Sequence, residues 1–255
     1  MKLEDVRKLH QKKFRDELGH FLLEGEHLVL ELQKAVQHIP ALRASRLYVT
    51  HEHADWRSPF ETQVVTSRQM SAISDTRSPQ GLVAVVPMLP TPAPREGERA
   101  IYLHEAQDPG NVGTILRTLA WFGGFRCLLG PGSVDPCNPK VVRASMGAIF
   151  HVPVEADVTL ESLPGRFGRI ACLDMDGEPL PSSRFQAHDC YLFGNEARGV
   201  PREALAGLNA DPFTVPGCGA IESLNLASAV NICIYELKRQ RSAQADGDQP
   251  SRPIR

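Results

Sequence analysis

Hydrophobic and polar positions alternate along the first part of the chain in short segments that predict a small α/β unit. Residues 21–25 (FLLEG), 46–50 (RLYVT), 63–67 (QVVTS) and 81–88 (GLVAVVPM) predict strands. The pattern over 26–36 is helical, and Ser67 is placed to cap a further short helix. We therefore expect a compact domain over residues 1–86.

The second part of the chain repeats this alternation over a longer stretch. Apolar runs at 100–106, 125–130, 169–175, 190–194 and 213–217 predict strands, and helical patterns lie between several of them. Short apolar strands that alternate with helices favour a mostly parallel sheet covered on both faces. A last helix is predicted from Ser223 to about Arg239, and its first half is apolar on most sides, which indicates burial.

Proline marks the boundary between the two parts. Four prolines lie within the first eight residues of the segment 87–97 (PMLPTPAPREG), which can form neither a helix nor a central strand. The predicted organisation is a domain over 1–86, a linker over 87–97, an α/β domain over 98–240 and a polar, disordered tail over 241–255.

Composition and charge narrow the function classes without selecting one. The net charge is −2, and no apolar run reaches the roughly 20 residues of a membrane span, so we expect no membrane partner and a cytoplasmic location or an organelle matrix. None of the six cysteines forms a CxxC pair, so we expect buried free thiols and no metal site. A basic run over 7–15 (RKLHQKKFR) fits either a solvated helix face or a nucleic-acid contact.

Three segments place glycine and polar residues where a strand meets a helix, and ligands bind at such positions in open α/β sheets. The first is 105–124 (EAQDPGNVGTILRTLAWFGG), where Asn111 is predicted to start a helix that carries Arg117 towards the same site. The second is 191–201 (YLFGNEARGVP), with a helix that Pro201 opens. The third is 215–237, a glycine-rich loop that leads into the apolar helix, with Asn225 inside its first turn.

Together these segments resemble the three motifs of the SpoU (TrmH) family of RNA ribose methyltransferases. The first motif is Asn111-x-Gly113-x-x-x-Arg117, and the second is Gly194-Asn195-Glu196 followed by Gly199. The third is Val215-Pro216, then Gly219, then Ser223-Leu224-Asn225. The resemblance covers nearly all of residues 98–240, and residues 138–154 look like the family's link between the first two motifs.

The resemblance implies both a fold and a reaction. It implies a SPOUT-type α/β fold, in which a parallel sheet ends in a C-terminal trefoil knot. Lys13, Arg15 and then Phe21-Leu22-Leu23-Glu24-Gly25 resemble the family's smaller N-terminal α/β domain of the ribosomal L30e type, which binds RNA. It implies methyl transfer from S-adenosylmethionine to a ribose 2′-hydroxyl, in ribosomal RNA more than in transfer RNA, by a homodimer that needs no metal.

The resemblance also assigns residues. It implies catalytic roles for Asn111, Arg117, Glu196, Ser223 and Asn225. It implies a cofactor site formed by Phe193, Gly194, Asn195, Val215, Gly219, Ser223 and Leu224. The residues expected to contact RNA are Lys12, Lys13, Arg15, Lys140 and Arg143. Because a guanidinium stays protonated, we expect Arg117 to clamp a phosphate or stabilise the 2′-oxygen rather than accept a proton.

Two other classes compete with this reading. A dinucleotide-dependent oxidoreductase would need G-x-G-x-x-G after an early strand, and the chain has no such motif. A non-catalytic RNA-binding protein of the same fold is the second alternative, and the five intact motif residues argue against it.

Overall fold

A computed structural model describes residues 1–196, 198–221 and 223–245 of the chain. It contains two sheets, a four-stranded one in the first part of the chain and a six-stranded one in the second. The Pro-rich segment between them contains no helix or strand over residues 88–98.

The first sheet is mixed and is covered by helices on both faces. Its strands are β1 (His20–Glu24), β2 (Arg46–Val49), β3 (Glu61–Val64) and β4 (Leu82–Pro87), in the order β1-β4-β2-β3. Its helices are α1 (Leu3–Lys8), α2 (Lys12–Leu18), α3 (Glu26–Ala35) and α4 (Ser67–Ile73). Only β2 and β3 run parallel. The cap of α4 is Thr66 and not Ser67, because Thr66 and Gln69 form a reciprocal capping box.

The second sheet is parallel throughout, as the alternation of strands and helices predicts. Its strands are β5 (Arg99–Leu103), β6 (Phe125–Leu129), β7 (Val154–Glu155), β8 (Ile170–Pro179), β9 (Cys190–Phe193) and β10 (Asp211–Thr214). Their order is β10-β8-β9-β5-β6-β7, and every neighbouring pair is parallel.

Helices cover both faces of this sheet. They are α5 (Pro109–Phe122), α6 (Pro139–Ser145), α7 (Ser183–Gln186), α8 (Arg202–Leu208) and α9 (Leu226–Ala245). Helices α5 and α9 share one apolar core with the sheet, and α8 contributes to the core on the other side. The chain moves outward from β5 to β6 and β7 and then returns to place β8 and β9 on the other side of β5. The loops that follow β5 and β9 therefore leave the sheet side by side at a topological switch point.

The last helix differs from its prediction at both ends. It begins at Leu226 rather than Ser223, and it continues to Ala245, so residues 241–245 are helical and not part of a disordered tail. The remainder of the predicted tail, 246–255, lies outside the described residues. Burial of Val230, Cys233, Ile234 and Leu237 agrees with the apolar pattern of this helix.

The two parts of the chain contact each other through α6. Val142 of this helix is buried in the apolar core of the N-terminal sheet. On the other side of α6, a Cβ at Gly113 of α5 would lie 2.4 Å from Ala144 Cβ, so glycine is what permits the two helices to pack this closely. Helix α6 therefore joins the N-terminal core to the helix of the first motif.

Candidate functional site

The first motif begins with a capped helix whose cap differs from the sequence prediction. Asp108 is the N-cap of α5, and its Oδ1 accepts a hydrogen bond of 2.7 Å from the backbone N–H of Asn111. Pro109 occupies the first helical position, where its missing N–H costs nothing. Asn111 is thus the third residue of the helix instead of its start, and its side-chain amide is free to bond elsewhere.

Three predicted catalytic residues form a continuous hydrogen-bonded cluster. Asn111 Nδ2 donates to Glu196 Oε1 at 2.5 Å, and Asn111 Oδ1 accepts from Asn225 Nδ2 at 2.9 Å. Each residue comes from a different motif. The amide of Asn111 is held from both sides, which fixes its orientation at the switch point of the sheet.

Asn225 has a second function that explains why the last helix starts later than predicted. Its Oδ1 accepts from the backbone N–H of Ser228 at 3.2 Å, and its carbonyl oxygen accepts from the N–H of Ala229 at 3.0 Å. These bonds make Asn225 the N-cap of α9, outside the first turn. A single side chain therefore ends the third motif loop, caps the helix and binds Asn111.

The second motif forms a tight loop directly after β9. The backbones of Asn195 and Gly199 pair through N–H···O bonds of 3.0 and 2.8 Å. A Cβ at Gly194 would lie 2.5 Å from the Gly199 carbonyl carbon, so the closed loop requires glycine there. Phe193 is buried at the strand end, and its carbonyl oxygen accepts from the His104 N–H at 2.9 Å.

The third motif loop is open to solvent in the single chain. Val215 is half-buried against the core, whereas Gly219, Ser223 and Leu224 are exposed. In the described part of the chain, the backbone N–H groups of residues 217–221 donate to no acceptor. Gly219 has φ +79° and open space around its Cα, which favours glycine at this turn.

Two predicted catalytic residues do not join the cluster. Arg117 lies six residues after Asn111 on α5, about 9 Å further along the helix axis. Its exposed guanidinium makes no hydrogen bond or ion pair with any described residue, and the same is true of the Ser223 hydroxyl. The structure of one chain therefore brings together Asn111, Glu196 and Asn225 and leaves Arg117 and Ser223 at the surface.

Arg15 was predicted to contact RNA, and this prediction is wrong. Its side chain is only 3% exposed and pairs with Asp135, whose side chain is 10% exposed. Arg15 Nε donates to Asp135 Oδ2 at 2.9 Å, and Nη1 donates to the Leu9 carbonyl oxygen at 2.8 Å. A guanidinium enclosed in this way cannot reach a phosphate. Its partner Asp135 lies 120 positions away along the chain, so the basic run itself, which contains no acid, gave no sign of this ion pair.

Two of the other predicted RNA contacts lie beside an acid, and two do not. Arg143 Nη2 pairs with Asp75 Oδ2 at 2.7 Å, and the Lys12 ammonium lies 3.7 Å from Asp157 Oδ2. Lys13 and Lys140 are exposed, and neither forms an ion pair with a described residue. Three residues of the predicted RNA set thus bridge the two parts of the chain, namely Lys12, Arg15 and Arg143.

Four of the six cysteines are buried free thiols as predicted, whereas Cys137 is half-buried and Cys218 is exposed. Burial raises the pKa of the Cys127, Cys172 and Cys190 thiols to about 12. It also raises the pKa of Cys137, with a smaller contribution from the carboxylate of Asp135. Cys218 is exposed in the third motif loop.

A pair of residues that the sequence reading did not assign also lies at this site. Arg198 Nη2 pairs with Glu105 Oε2 at 2.5 Å, and Asn195 Nδ2 donates to the Glu105 carbonyl oxygen at 2.9 Å. Glu105 has φ +48°, a left-handed conformation that costs a non-glycine residue about 1–2 kcal/mol. No local pattern in the sequence marks this pair.

The described residues contain no group of three His, Cys, Asp or Glu side chains arranged to hold a metal ion. Within the same residues, no helix combines the length and apolarity that a bilayer crossing needs.

Comparisons with known proteins place these features in a family context. Residues 98–235 match the SpoU rRNA Methylase family, and residues 1–84 match the MRM3-like substrate binding domain. The chain is 30% identical over 248 residues to the 23S rRNA (guanosine(2553)-2′-O)-methyltransferase of Bacillus subtilis, covering 93% of this chain and 96% of that protein.

Solved structures are similar over the same extent. A TrmH-family structure from Porphyromonas gingivalis superposes with a TM-score of 0.78 at 32% identity, covering 93% of this chain and 97% of that one. An AdoMet-bound rRNA methyltransferase from Sinorhizobium meliloti gives a TM-score of 0.75 at 27% identity, covering 93% and 94%.

Proposed function

Because this chain belongs to the SpoU rRNA methylase family, we infer that it transfers a methyl group from S-adenosylmethionine to a ribose 2′-hydroxyl of ribosomal RNA. The observation that carries this proposal most directly is the cluster of Glu196, Asn111 and Asn225, which joins the three family motifs at the switch point of the parallel sheet. The family assignment makes it an enzyme that depends on S-adenosylmethionine.

The residues of the motif loops fit this cofactor. The backbone N–H groups of residues 217–221 donate to no acceptor within the described chain. They are therefore available to the ring nitrogens of an adenine, which accept hydrogen bonds. Val215 and the 45% exposed Leu224 supply apolar surface beside them. We propose that the cofactor-binding residues are Phe193, Gly194, Asn195, Val215, Gly219, Ser223 and Leu224. When bound, the cofactor supplies an activated methyl group, so the protein has only to align the acceptor oxygen and stabilise its charge.

We propose distinct roles for the cluster and for Arg117. Asn225 holds the amide of Asn111, and Asn111 holds Glu196 at the edge of the site. Glu196 Oε2 accepts no hydrogen bond from a described residue. That oxygen is available to a ribose hydroxyl. The guanidinium of Arg117 presents several N–H donors in one plane, so it clamps a phosphate or stabilises the developing oxyanion. The exposed Ser223 hydroxyl is available to bind the same substrates.

We also propose that the chain acts as a homodimer. Large apolar side chains are exposed on α5 and α9, with Trp121 at 70%, Tyr235 at 57% and Ile232 at 41% exposure. Arg117 and Trp121 lie one turn apart on α5, so an interface on this surface would enclose the free guanidinium next to a second copy. Such a dimer would complete a site that one chain leaves open.

The path of the chain after β10 favours the proposed trefoil knot. β10 is the edge strand, yet Asn225 bonds to Asn111, which follows β5 three strands away. The third motif loop therefore returns across the carboxyl ends of the intervening strands. We also propose an L30e-type fold for the N-terminal domain. Its mixed sheet with helices on both faces supports this proposal.

The N-terminal domain is proposed to bind RNA together with α6 of the C-terminal domain, and Arg15 is removed from the predicted contacts. Lys13 and Lys140 are exposed and form no ion pair with a described residue, so both are available to phosphates. Lys12 and Arg143 stay in the proposed set of RNA contacts, although the exposed Lys12 ammonium lies near Asp157 and Arg143 pairs with Asp75. The proposed location is the cytoplasm, where the ribosomes of a bacterium are assembled.

Transfer RNA as substrate and loss of catalysis remain the competing functions. The relative from Bacillus subtilis is named for 23S rRNA, which favours ribosomal RNA. The intact hydrogen-bonded cluster favours catalysis over simple binding.

Three measurements test the proposal. Calorimetry should show binding of S-adenosylmethionine, and labelled methyl groups should pass to ribosomal RNA but not to transfer RNA. Mapping of 2′-O-methyl sites in a deletion strain should reveal one lost site. Asn111→Ala should reduce transfer strongly, whereas Thr114→Ala, one turn later on the same helix, should not. A folded protein that binds no cofactor would overturn the proposal.

A further inference from the structure

We infer that Glu105 and Arg198 are positioning residues for the methyl transfer, because together they hold the second motif loop in the place where Glu196 meets Asn111. This inference rests on the proposed function and adds two residues to the site. Both lie outside the motif residues assigned above.

Glu105 holds the second motif loop on both sides of Glu196. Its carbonyl oxygen accepts from Asn195 Nδ2 at 2.9 Å, and its carboxylate accepts from Arg198 Nη2 at 2.5 Å. The loop is also closed on itself by the backbone pair of Asn195 and Gly199. Glu105 belongs to the loop after β5 and the motif loop follows β9, so these bonds join neighbouring strands at their carboxyl ends.

The backbone of Glu105 indicates that the residue is kept for this contact. Its φ of +48° is a conformation that glycine adopts freely and other residues adopt at a cost. Strained positions of this kind cluster at functional sites, where the surrounding structure holds them in place. A residue with no task at this position would be better replaced by glycine.

Exposure separates the pair from an ordinary stabilising ion pair. The side chain of Arg198 is 67% exposed and that of Glu105 is 33% exposed. A pair so open to water contributes little to the stability of the fold. Its remaining effect is geometric: it sets where Glu196 Oε1 lies relative to the amide of Asn111. A displacement of about 1 Å at such a contact can lower a rate by up to about 100-fold.

Glu105→Gly is the variant that separates a positioning role from a structural one. It removes the ion pair but relieves the left-handed backbone, so the melting temperature should equal or exceed that of the wild type. Single-turnover methyl transfer should nevertheless fall between about tenfold and 100-fold. The dissociation constant of S-adenosylmethionine should stay within about twofold, because Glu105→Gly keeps the backbone carbonyl that binds Asn195 and the backbone pair of Asn195 and Gly199.

Charge variants test whether the pair acts as a unit. Glu105→Gln and Arg198→Ala should each lower the rate, and the double variant should be no slower than the worse single variant, because both changes break one interaction. The exchange of Glu105→Arg with Arg198→Glu should recover part of the rate. Arg202→Ala is the matched control, since it removes an exposed arginine four positions away and should leave the rate unchanged.

Two further readouts make the outcome decisive. If Arg198→Ala weakens RNA binding and flattens its salt dependence while Glu105→Gln remains fully active, Arg198 is a phosphate contact and the positioning role is overturned. Hydrogen exchange at the N–H groups of Asn195 and Gly199 needs no turnover. Faster exchange in Glu105→Gln supports the inference, and unchanged exchange overturns it, even if the wild type transfers no methyl group and the proposed function itself fails.

Discussion

Replacement of Arg15 by alanine should destabilise the protein far more than it affects RNA binding. The guanidinium donates to Asp135 from two nitrogens and to the Leu9 carbonyl oxygen from the third. Without it, the Asp135 carboxylate stays buried with no cation beside it, although the Cys137 N–H still donates to Oδ1 at 2.9 Å.

The size of the effect follows from the burial of the pair. Removing one partner of a buried ion pair costs about 3–5 kcal/mol, because the other charge is left uncompensated. For a chain of this size, such a loss lowers the melting temperature by roughly 6–20 °C. Lys13→Ala on the same helix is the matched control, since its exposed ammonium has no ion-pair partner in the described structure and the change should cost less than about 0.5 kcal/mol.

Urea unfolding and RNA binding at several salt concentrations, measured on the same variants, would check this prediction. Arg15→Met with Asp135→Asn removes the uncompensated charge and should recover part of the lost free energy of unfolding. Lys13→Ala should lower the slope of RNA affinity against salt by roughly 0.7–0.9, and Arg15→Ala should leave it unchanged. If Arg15→Ala kept wild-type stability and flattened the salt slope, the assignment of Arg15 to domain docking would be refuted.

Four further outcomes are expected. Arg117→Ala should lower the rate of single-turnover methyl transfer by orders of magnitude with little change in cofactor affinity. Arg117→Lys should recover only part of that rate, because lysine lacks the planar guanidinium. Near-normal rates in a stable alanine variant would contradict the proposed site. Cys218 should react first with a thiol reagent at pH 8, because it is exposed and burial holds the pKa of thiols such as Cys127 at about 12. S-adenosylmethionine should protect Cys218 from the reagent. Equal labelling with and without cofactor would place the cofactor elsewhere. Gly113→Val should destabilise the chain by about 1–3 kcal/mol in thermal unfolding, because a Cβ there would lie 2.4 Å from that of Ala144; a neutral effect would show that α6 can move. The hydrogen bond from His188 holds the pKa of Asp211 below its ordinary value. The stability that this bond gives is therefore present above about pH 4 and should be lost as the pH falls further. Asp211→Asn should flatten the acid side of the melting-temperature profile, and an unchanged profile would argue against the bond.

Local chemistry explains what could be read from the sequence. The period of apolar residues predicts the strands of both sheets except the two-residue β7, and it predicts the apolar half of α9, because side chains alternate along a strand and recur every 3.6 residues along a helix. Two helices start at other residues than predicted. Asp108 and Asn225, rather than Asn111 and Ser223, cap their helices, since several polar residues in a row can each cap and only the packed structure selects one.

The motif residues were predicted as a set, but their contacts were not. Asn111 is 85 positions away from Glu196 along the chain and 114 positions away from Asn225. The parallel sheet brings them together because the loops that follow β5 and β9 leave adjacent strands at the same edge. The order of the strands is a property of the whole fold, so spacing in the sequence could not specify these bonds.

The fate of a charged side chain was decided by tertiary structure alone. Lys13 and Arg15 belong to one basic run, yet Lys13 faces solvent and Arg15 is buried against Asp135. Glu105 likewise meets Arg198 from 93 positions away. A sequence shows which residues carry charge, whereas the partner, the burial and hence the function of each charge depend on which distant segments the fold places beside it.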